Sequence, residues 1–165
     1  MDSSTDTMFI RPIRPEDNPA LAEIIRNAFR EFNLAKPGTA FYDKALDDLY
    51  ATFQSPRSRY HVGLADGQVA GGGGIFPSEG LPPTICELVK MYLVPSVRGK
   101  GLGSLLIDEC LRSARQFGYR QVYIETMPEF GKAVGLYEKL GFRHLDGALG
   151  NTGHYTCSVW MLLDL

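Results

Sequence analysis

The stretch that most narrows what this chain can fold into runs from Thr84 to Phe117. Residues 84–94, TICELVKMYLV, are nearly continuously apolar, as expected of a strand at the centre of a sheet covered on both faces. Pro95 ends the run, and glycines stand at 99, 101 and 103 with Arg98, Lys100 and Leu102 set between them. An amphipathic helical pattern follows at once, from about 101 to 117, through Leu102, Leu105, Leu106, Cys110, Leu111 and Ala114. Glycine costs about 1 kcal/mol in a helix relative to alanine, so three of them at a helix start need a reason. Glycines let successive backbone N–H groups turn inward, and the helix start adds unsatisfied donors and a partial positive charge. A strand, a glycine turn and a helix thus make an anion-binding device, with Arg98 and Lys100 as nearby charge for phosphate oxygens. The alternative is a tight strand-to-helix turn with no ligand. The spacing matches neither GxxxxGK[ST] nor GxGxxG, which argues against a nucleotide triphosphatase and a dinucleotide enzyme.

The rest of the chain supplies the sheet and its cover. Strand character at 8–13 precedes a helical pattern over 15–32 with Leu21, Ile24, Ile25, Ala28 and Phe29 on one face. Asp17 or Asn18 is its expected cap, with Pro19 at the first helical position. A second amphipathic helix is predicted over 42–54 through Ala45, Leu46, Leu49 and Phe53. Residues 59–77 read as a hairpin turned at Asp66-Gly67. The run Gly71–Gly74 marks either a bulge or a place where another group approaches the backbone closely. A strand at 121–126, a helix at 129–140 stopped by Gly141, and strands at 142–145 and 156–163 complete the order β-α-α-β-β-β-α-β-α-β-β. That order predicts an α/β fold on a mixed sheet, antiparallel in its first half and with βαβ units in its second. No linker or repeat interrupts it, so 1–165 reads as a single domain.

Bulk properties exclude several classes. A net charge of -2 and a pI near 5.9 leave no basic excess for nucleic acid. Three widely spaced cysteines in apolar surroundings (Cys86, Cys110 and Cys157) read as buried free thiols in a reducing compartment. No CxxC pair or His cluster suggests a metal. Residues 1–7 read as a frayed terminus with no secretory leader. No apolar run approaches the 18 or so residues a membrane span needs. A cytoplasmic protein is the expectation.

The pattern Arg98-x-x-Gly101-x-Gly103 after Val94-Pro95 resembles the R/Q-x-x-G-x-G/A signature of the GNAT N-acetyltransferase superfamily. Its setting strengthens the likeness: a strand before, an amphipathic helix after, and "LYEKLGF" at 136–142, similar to the superfamily's second motif. The resemblance is most specific over 84–143. It implies a central sheet of six to seven strands flanked by about four helices, with acetyl-CoA held where two parallel strands, here 84–94 and 121–127, splay apart. The main chain of Met91, Tyr92 and Leu93 would pair with the pantetheine arm and thioester. The amides of Arg98, Gly99, Lys100, Gly101, Leu102, Gly103 and Ser104 would cradle the pyrophosphate. The acceptor would be a primary amine of a small molecule, a peptide or a protein, and the resemblance leaves room for a homodimer.

The chemistry needs a neutral amine and a proton for the leaving thiolate. Tyr137, the tyrosine of "LYEKLGF", stands where the family keeps its proton donor; the plainer reading is a tyrosine packed on the sheet. Glu87 interrupts an apolar strand, and a carboxylate there needs a reason. It falls where histone-type members carry a general base, or else it sits at a solvent-exposed strand start beside a neighbour. In a regular strand Lys90 faces the other side from Glu87, and only a bulge would bring them together. His154, in the turn-rich LGNTGHYTC segment, either lines the acceptor pocket, replaces Glu87 as base, or stands in solvent. The resemblance places the acceptor near Glu31, Asn33, Phe41 and Tyr42. Many relatives carry an asparagine seven residues before the tyrosine, where this chain has Phe130. Gly131 and Gly135 suggest flexibility or close packing near the cofactor. A non-catalytic acyl-CoA-binding module stays open beside the enzyme; both Glu87 and Tyr137 being present favours the enzyme.

Overall fold

The computed structural model describes residues 7–165; residues 1–6, most of the expected frayed terminus, lie outside the described residues. Thr7 itself is tied down, its N–H donating to Asp66 and its carbonyl accepting from the Asp66 N–H. The strands are β1 (Met8–Pro12), β2 (Arg59–Ala65), β3 (Gln68–Phe76), β4 (Ile85–Leu93), β5 (Gln121–Thr126), β6 (Arg143–Leu145) and β7 (Val159–Asp164). The helices are α1 (Asn18–Glu31), α2 (Leu49–Thr52), α3 (Leu102–Gln116) and α4 (Gly131–Lys139). The strands form one sheet in the order β1-β2-β3-β4-β5-β7-β6, antiparallel except for the parallel pair β4–β5.

Both faces of the sheet are covered, which is why β4 is apolar along both of its sides. On one face Ile107, Cys110, Leu111 and Ala114 of α3 and Tyr137 of α4 pack on Ile75, Cys86, Leu88, Val122 and Met161. On the other, Leu21, Ile25 and Phe29 of α1 and Leu46, Leu49 and Phe53 cover Tyr60 and Val62. Burying such side chains stabilises by roughly 1.5–3 kcal/mol each, so the two cores hold the central strands in place from either side.

Two local predictions change. The expected helix over 42–54 is instead two 3-10 turns, Ala40–Tyr42 and Lys44–Asp47, followed by the single turn of α2. Asp48 breaks the run: its φ is -145° and its carboxylate accepts the Ala51 N–H at 3.0 Å, so it starts a new helix rather than continuing one. Asp17 precedes α1, but its carboxylate grips Arg11 in a two-pronged pair at 2.7 and 2.9 Å and makes no cap bond to the helix.

The four glycines serve both readings given above. A Cβ on Gly71 would collide with the Tyr92 carbonyl, and one on Gly72 would lie 2.5 Å from the Tyr60 ring. Between β3 and β4 the register jumps from Gly72↔Tyr92 to Gly74↔Val89, so Gly73 alone opposes Lys90 and Met91. That is a β-bulge, and Lys90 takes φ 54° to make it.

Candidate active site

β4 and β5 pair only at Ile85↔Gln121, Cys86↔Val122 and Glu87↔Tyr123. Beyond that point β5 stays with β7 and β4 stays with β3, so the edge of β4 from 88 to 93 that faces β5 has no strand partner. Met91, Tyr92 and Leu93 lie on this opened segment. The opening leads to the glycine turn. Gly99 (φ 75°) and Gly101 (φ 97°) both occupy the left-handed region, and a Cβ on either would meet nothing within 4 Å. Conformation demands these two glycines, and both lie exposed at the surface. The first helical bond of α3 is Leu105 N–H to the Gly101 carbonyl at 3.1 Å, which leaves the amides of Leu102, Gly103 and Ser104 without helical acceptors. Gly103 sits inside the helix, 3.5 Å from Leu93 by its would-be Cβ, where a small residue lets helix and strand approach.

Arg98 is placed differently from a simple phosphate ligand. Its Nε and Nη2 donate to the Leu93 carbonyl at 3.2 and 3.0 Å, and Nη1 donates to Glu31 at 2.8 Å. Its guanidinium also lies 5.9 Å from the centre of the Phe32 ring. The side chain therefore clasps the end of α1 to the end of β4. Lys100 stands on the exposed turn.

Tyr137 is 5% exposed, packed between α4 and the sheet. Its hydroxyl makes no hydrogen bond to another described residue, which leaves the O–H uncommitted within the fold. Burial pushes its pKa up, so the group stays protonated and able to donate. Gly131 and Gly135 of α4 face open space, and Phe130 packs edge-on against Phe29 (5.5 Å) and Phe32 (5.2 Å).

Glu87 is the last β4 residue paired with β5, at the vertex of the opening. It is only 4% exposed, so the solvent-exposed reading of this residue does not hold. Burial pushes its carboxyl up to about 7; Ser78 is the first of its neighbours to oppose this, Glu125 adds to it, and His154 and Lys90 oppose it further. A carboxyl poised near neutrality can both accept and release a proton there.

Glu87 lines a cavity of about 350 Å³ together with Asp43, Ser78, Lys90, Thr152 and His154, under a wall of Phe53, Phe76 and Val89. The bulge is what brings Lys90 here, reversing the expectation for a regular strand. Asp43 accepts from His154 Nε2 at 3.0 and 2.9 Å and from Lys90 Nζ. Burial would raise the Asp43 pKa, but those two partners outweigh it and hold the carboxylate low and ionised. Three distant segments thus meet on one side chain. Of the residues expected near the acceptor, His154 lines the cavity. Glu31 is engaged with Arg98, Asn33 and Tyr42 are exposed, and Phe41 packs on Phe29; none of these four lines it. Lys90 enters the sequence reading only as a residue that a bulge would bring to Glu87, and Asp43 does not enter it at all. A lysine in an apolar strand three residues from Glu87 was a usable signal, whereas Asp43 carries none of its own.

A sheet opened between its two parallel strands, beside a glycine turn and a free helix start, defines proteins that hold an extended, anion-bearing guest in the opening. The chain belongs to the acetyltransferase (GNAT) family, whose model matches residues 19–142. It is 44% identical over 157 residues to an uncharacterized N-acetyltransferase, YjgM, of Escherichia coli (strain K12), covering 94% of each chain. Its fold is similar to that of a GNAT-family acetyltransferase from Staphylococcus aureus Mu50, with a TM-score of 0.84 at 16% identity over 96% of this chain and 99% of that one. It is also similar to yncA of Salmonella typhimurium, solved with its cofactor acetyl-CoA (TM-score 0.73, 20% identity, 95% and 93% covered). Among the described residues no helix is long and apolar enough to cross a membrane.

Proposed function

We propose that this protein moves an acetyl group from acetyl-CoA to a primary amine, with Glu87 as base and Tyr137 as acid. The residues fit the cofactor: the β4 edge at 88–93 is free for an extended arm, and the space beside Gly99 and Gly101 with the amides of 102–104 suits a pyrophosphate. The acetyl-CoA complex of the yncA neighbour supports the same choice. Bound there, acetyl-CoA supplies the acetyl group as a thioester.

This chain's residues handle the protons. Glu87, ionised above about pH 7, takes one from the acceptor ammonium and leaves a neutral amine. As the new C–N bond forms and the C–S bond breaks, the Tyr137 hydroxyl donates to the departing sulfur. Two protons leave the nitrogen in all; one ends on the thiol by way of Tyr137 and the other reaches solvent from Glu87. The apolar wall of Phe53, Phe76 and Val89 limits water around the reacting nitrogen.

The observation that carries this reading is Glu87, a buried carboxyl tuned near neutrality at the vertex where the strands part. The test is release of free CoA thiol across an amine panel, for the wild type and Glu87→Gln. Amine-dependent release that Glu87→Gln depresses supports it. Stabilisation by acetyl-CoA with no release for any amine would leave a non-catalytic acyl-CoA module instead.

A further inference from the structure

The bulge at Lys90 does something the acetyl-transfer reading does not require. A lysine at φ 54° is strained relative to ordinary strand geometry, and glycine or asparagine would take that position more cheaply. The conformation is nevertheless held firmly, because the Tyr60 hydroxyl donates to the Lys90 carbonyl at 2.8 Å and Gly73 makes room opposite. Its effect is to turn the Lys90 side chain onto the Glu87 face of the sheet and into the same cavity.

There the side chain is nine-tenths buried, at 10% exposure. An ammonium has three N–H donors, and among the described residues Asp43 is the hydrogen-bond acceptor it meets, which leaves two with no described partner beside the cavity. Lys90 therefore presents more hydrogen-bonding capacity than its ion pair consumes. The other charges limit what can fill it. Asp43, Glu79 and Glu87 share the cavity with Lys44 and Lys90, so the lining is mixed in sign rather than acidic. A polyamine would set its second ammonium against Lys90 or Lys44. A peptide N-terminus would offer a neutral carbonyl, a weaker acceptor than a carboxylate. The volume suits one compact molecule with an apolar side.

Building on the proposed acetyl transfer, we infer that the acceptor is a free α-amino acid, its ammonium directed to Glu87 and its carboxylate bound by the spare donors of Lys90, with its side chain against Phe53, Phe76 and Val89. Lys90 is then a specificity residue, and the strained bulge is the device that delivers it.

The test compares CoA release for leucine, methionine and phenylalanine with release for their amides and for the matching amines that lack the carboxyl group. The amino acids should exceed both by tenfold or more in kcat/KM. Lys90→Met should bring that ratio close to one, and Lys90→Arg, which keeps the charge, should retain part of it. Acetyl-CoA-induced thermal stabilisation of each variant verifies that it has folded. Amines or amides used as well as the amino acids would overturn this inference while leaving acetyl transfer intact. A ratio unchanged in a folded Lys90→Met protein would overturn it too. No release with any acceptor would remove the acetyl-transfer reading and this one with it.

Discussion

The glycine turn follows β4 and the cavity beside Glu87 and Lys90 opens on the same strand, yet they are built in opposite ways. The turn is local: β4, Gly99, Gly101 and the first amides of α3 follow one another within about twenty residues, and its geometry is set by backbone conformation. The cavity is assembled from Asp43, Glu87, Lys90 and His154, which only the fold brings together. One region depends on the absence of side chains and the other on their exact charges. Substitutions should therefore act differently on cofactor binding and on turnover.

The largest expected effect is on Glu87. Glu87→Gln should lower kcat by about 10²–10³ while leaving acetyl-CoA affinity nearly unchanged. The wild-type rate should rise through about pH 7, as Glu87 loses its proton, and the variant should lack that step. A flat wild-type profile across that range would place the base elsewhere. Tyr137→Phe comes next, with kcat lower by about ten- to a hundredfold and little change in KM; unchanged turnover would reduce Tyr137 to packing.

The cofactor side should respond in affinity instead. Gly101→Val forces a β-branched residue into φ 97° and should raise the KM for acetyl-CoA at least about tenfold, with kcat largely kept. Arg98 offers a sharper division. As a clasp on Leu93 and Glu31, its loss in Arg98→Met should weaken acetyl-CoA and acetyl-pantetheine alike, by about three- to tenfold. Weakening of acetyl-CoA alone would make it a phosphate ligand, and Glu31→Gln would then tighten binding rather than loosen it.

A separate effect falls on stability rather than on binding or turnover. Glu87 has a folded pKa of about 7 against a reference of 4.5, so the native state holds its proton more tightly than the unfolded chain does. That contribution is fully present below about pH 4.5 and is lost as pH rises through 7. Glu87→Gln, which cannot ionise, should accordingly be more stable than wild type at pH 8, by up to about 3 kcal/mol. The difference should vanish near pH 4, as thermal unfolding at both pH values would reveal. Equal midpoints at pH 8 would mean that Glu87 is ionised without cost, and the argument for a tuned base would weaken.

Legibility in the sequence tracked this same division. The order of strands and helices, the parallel pair and the glycine turn all rest on periodicity and punctuation within short windows. Glu87 stood out because a carboxylate in an apolar run is conspicuous at any distance. The helix expected over 42–54 failed because Asp48 offered the backbone a competing bond, which the apolar spacing of Leu46, Leu49 and Phe53 concealed. The position of Lys90 failed because a bulge shifts alternation by one residue, and its origin lies partly across the ladder at Gly73.

What the chain determined by itself is the class of fold and the turn, since hydrophobic period and positive-φ glycines act over a few residues. Tertiary structure alone decided that Glu87 sits at the parting of β4 and β5, that Arg98 faces Glu31, and that Asp43 gathers His154 and Lys90. Those placements arise from where strands separate and which loops meet. Charge, burial and pKa at the site depend on neighbours that are distant in sequence, so they appear only once the sheet has closed on both faces.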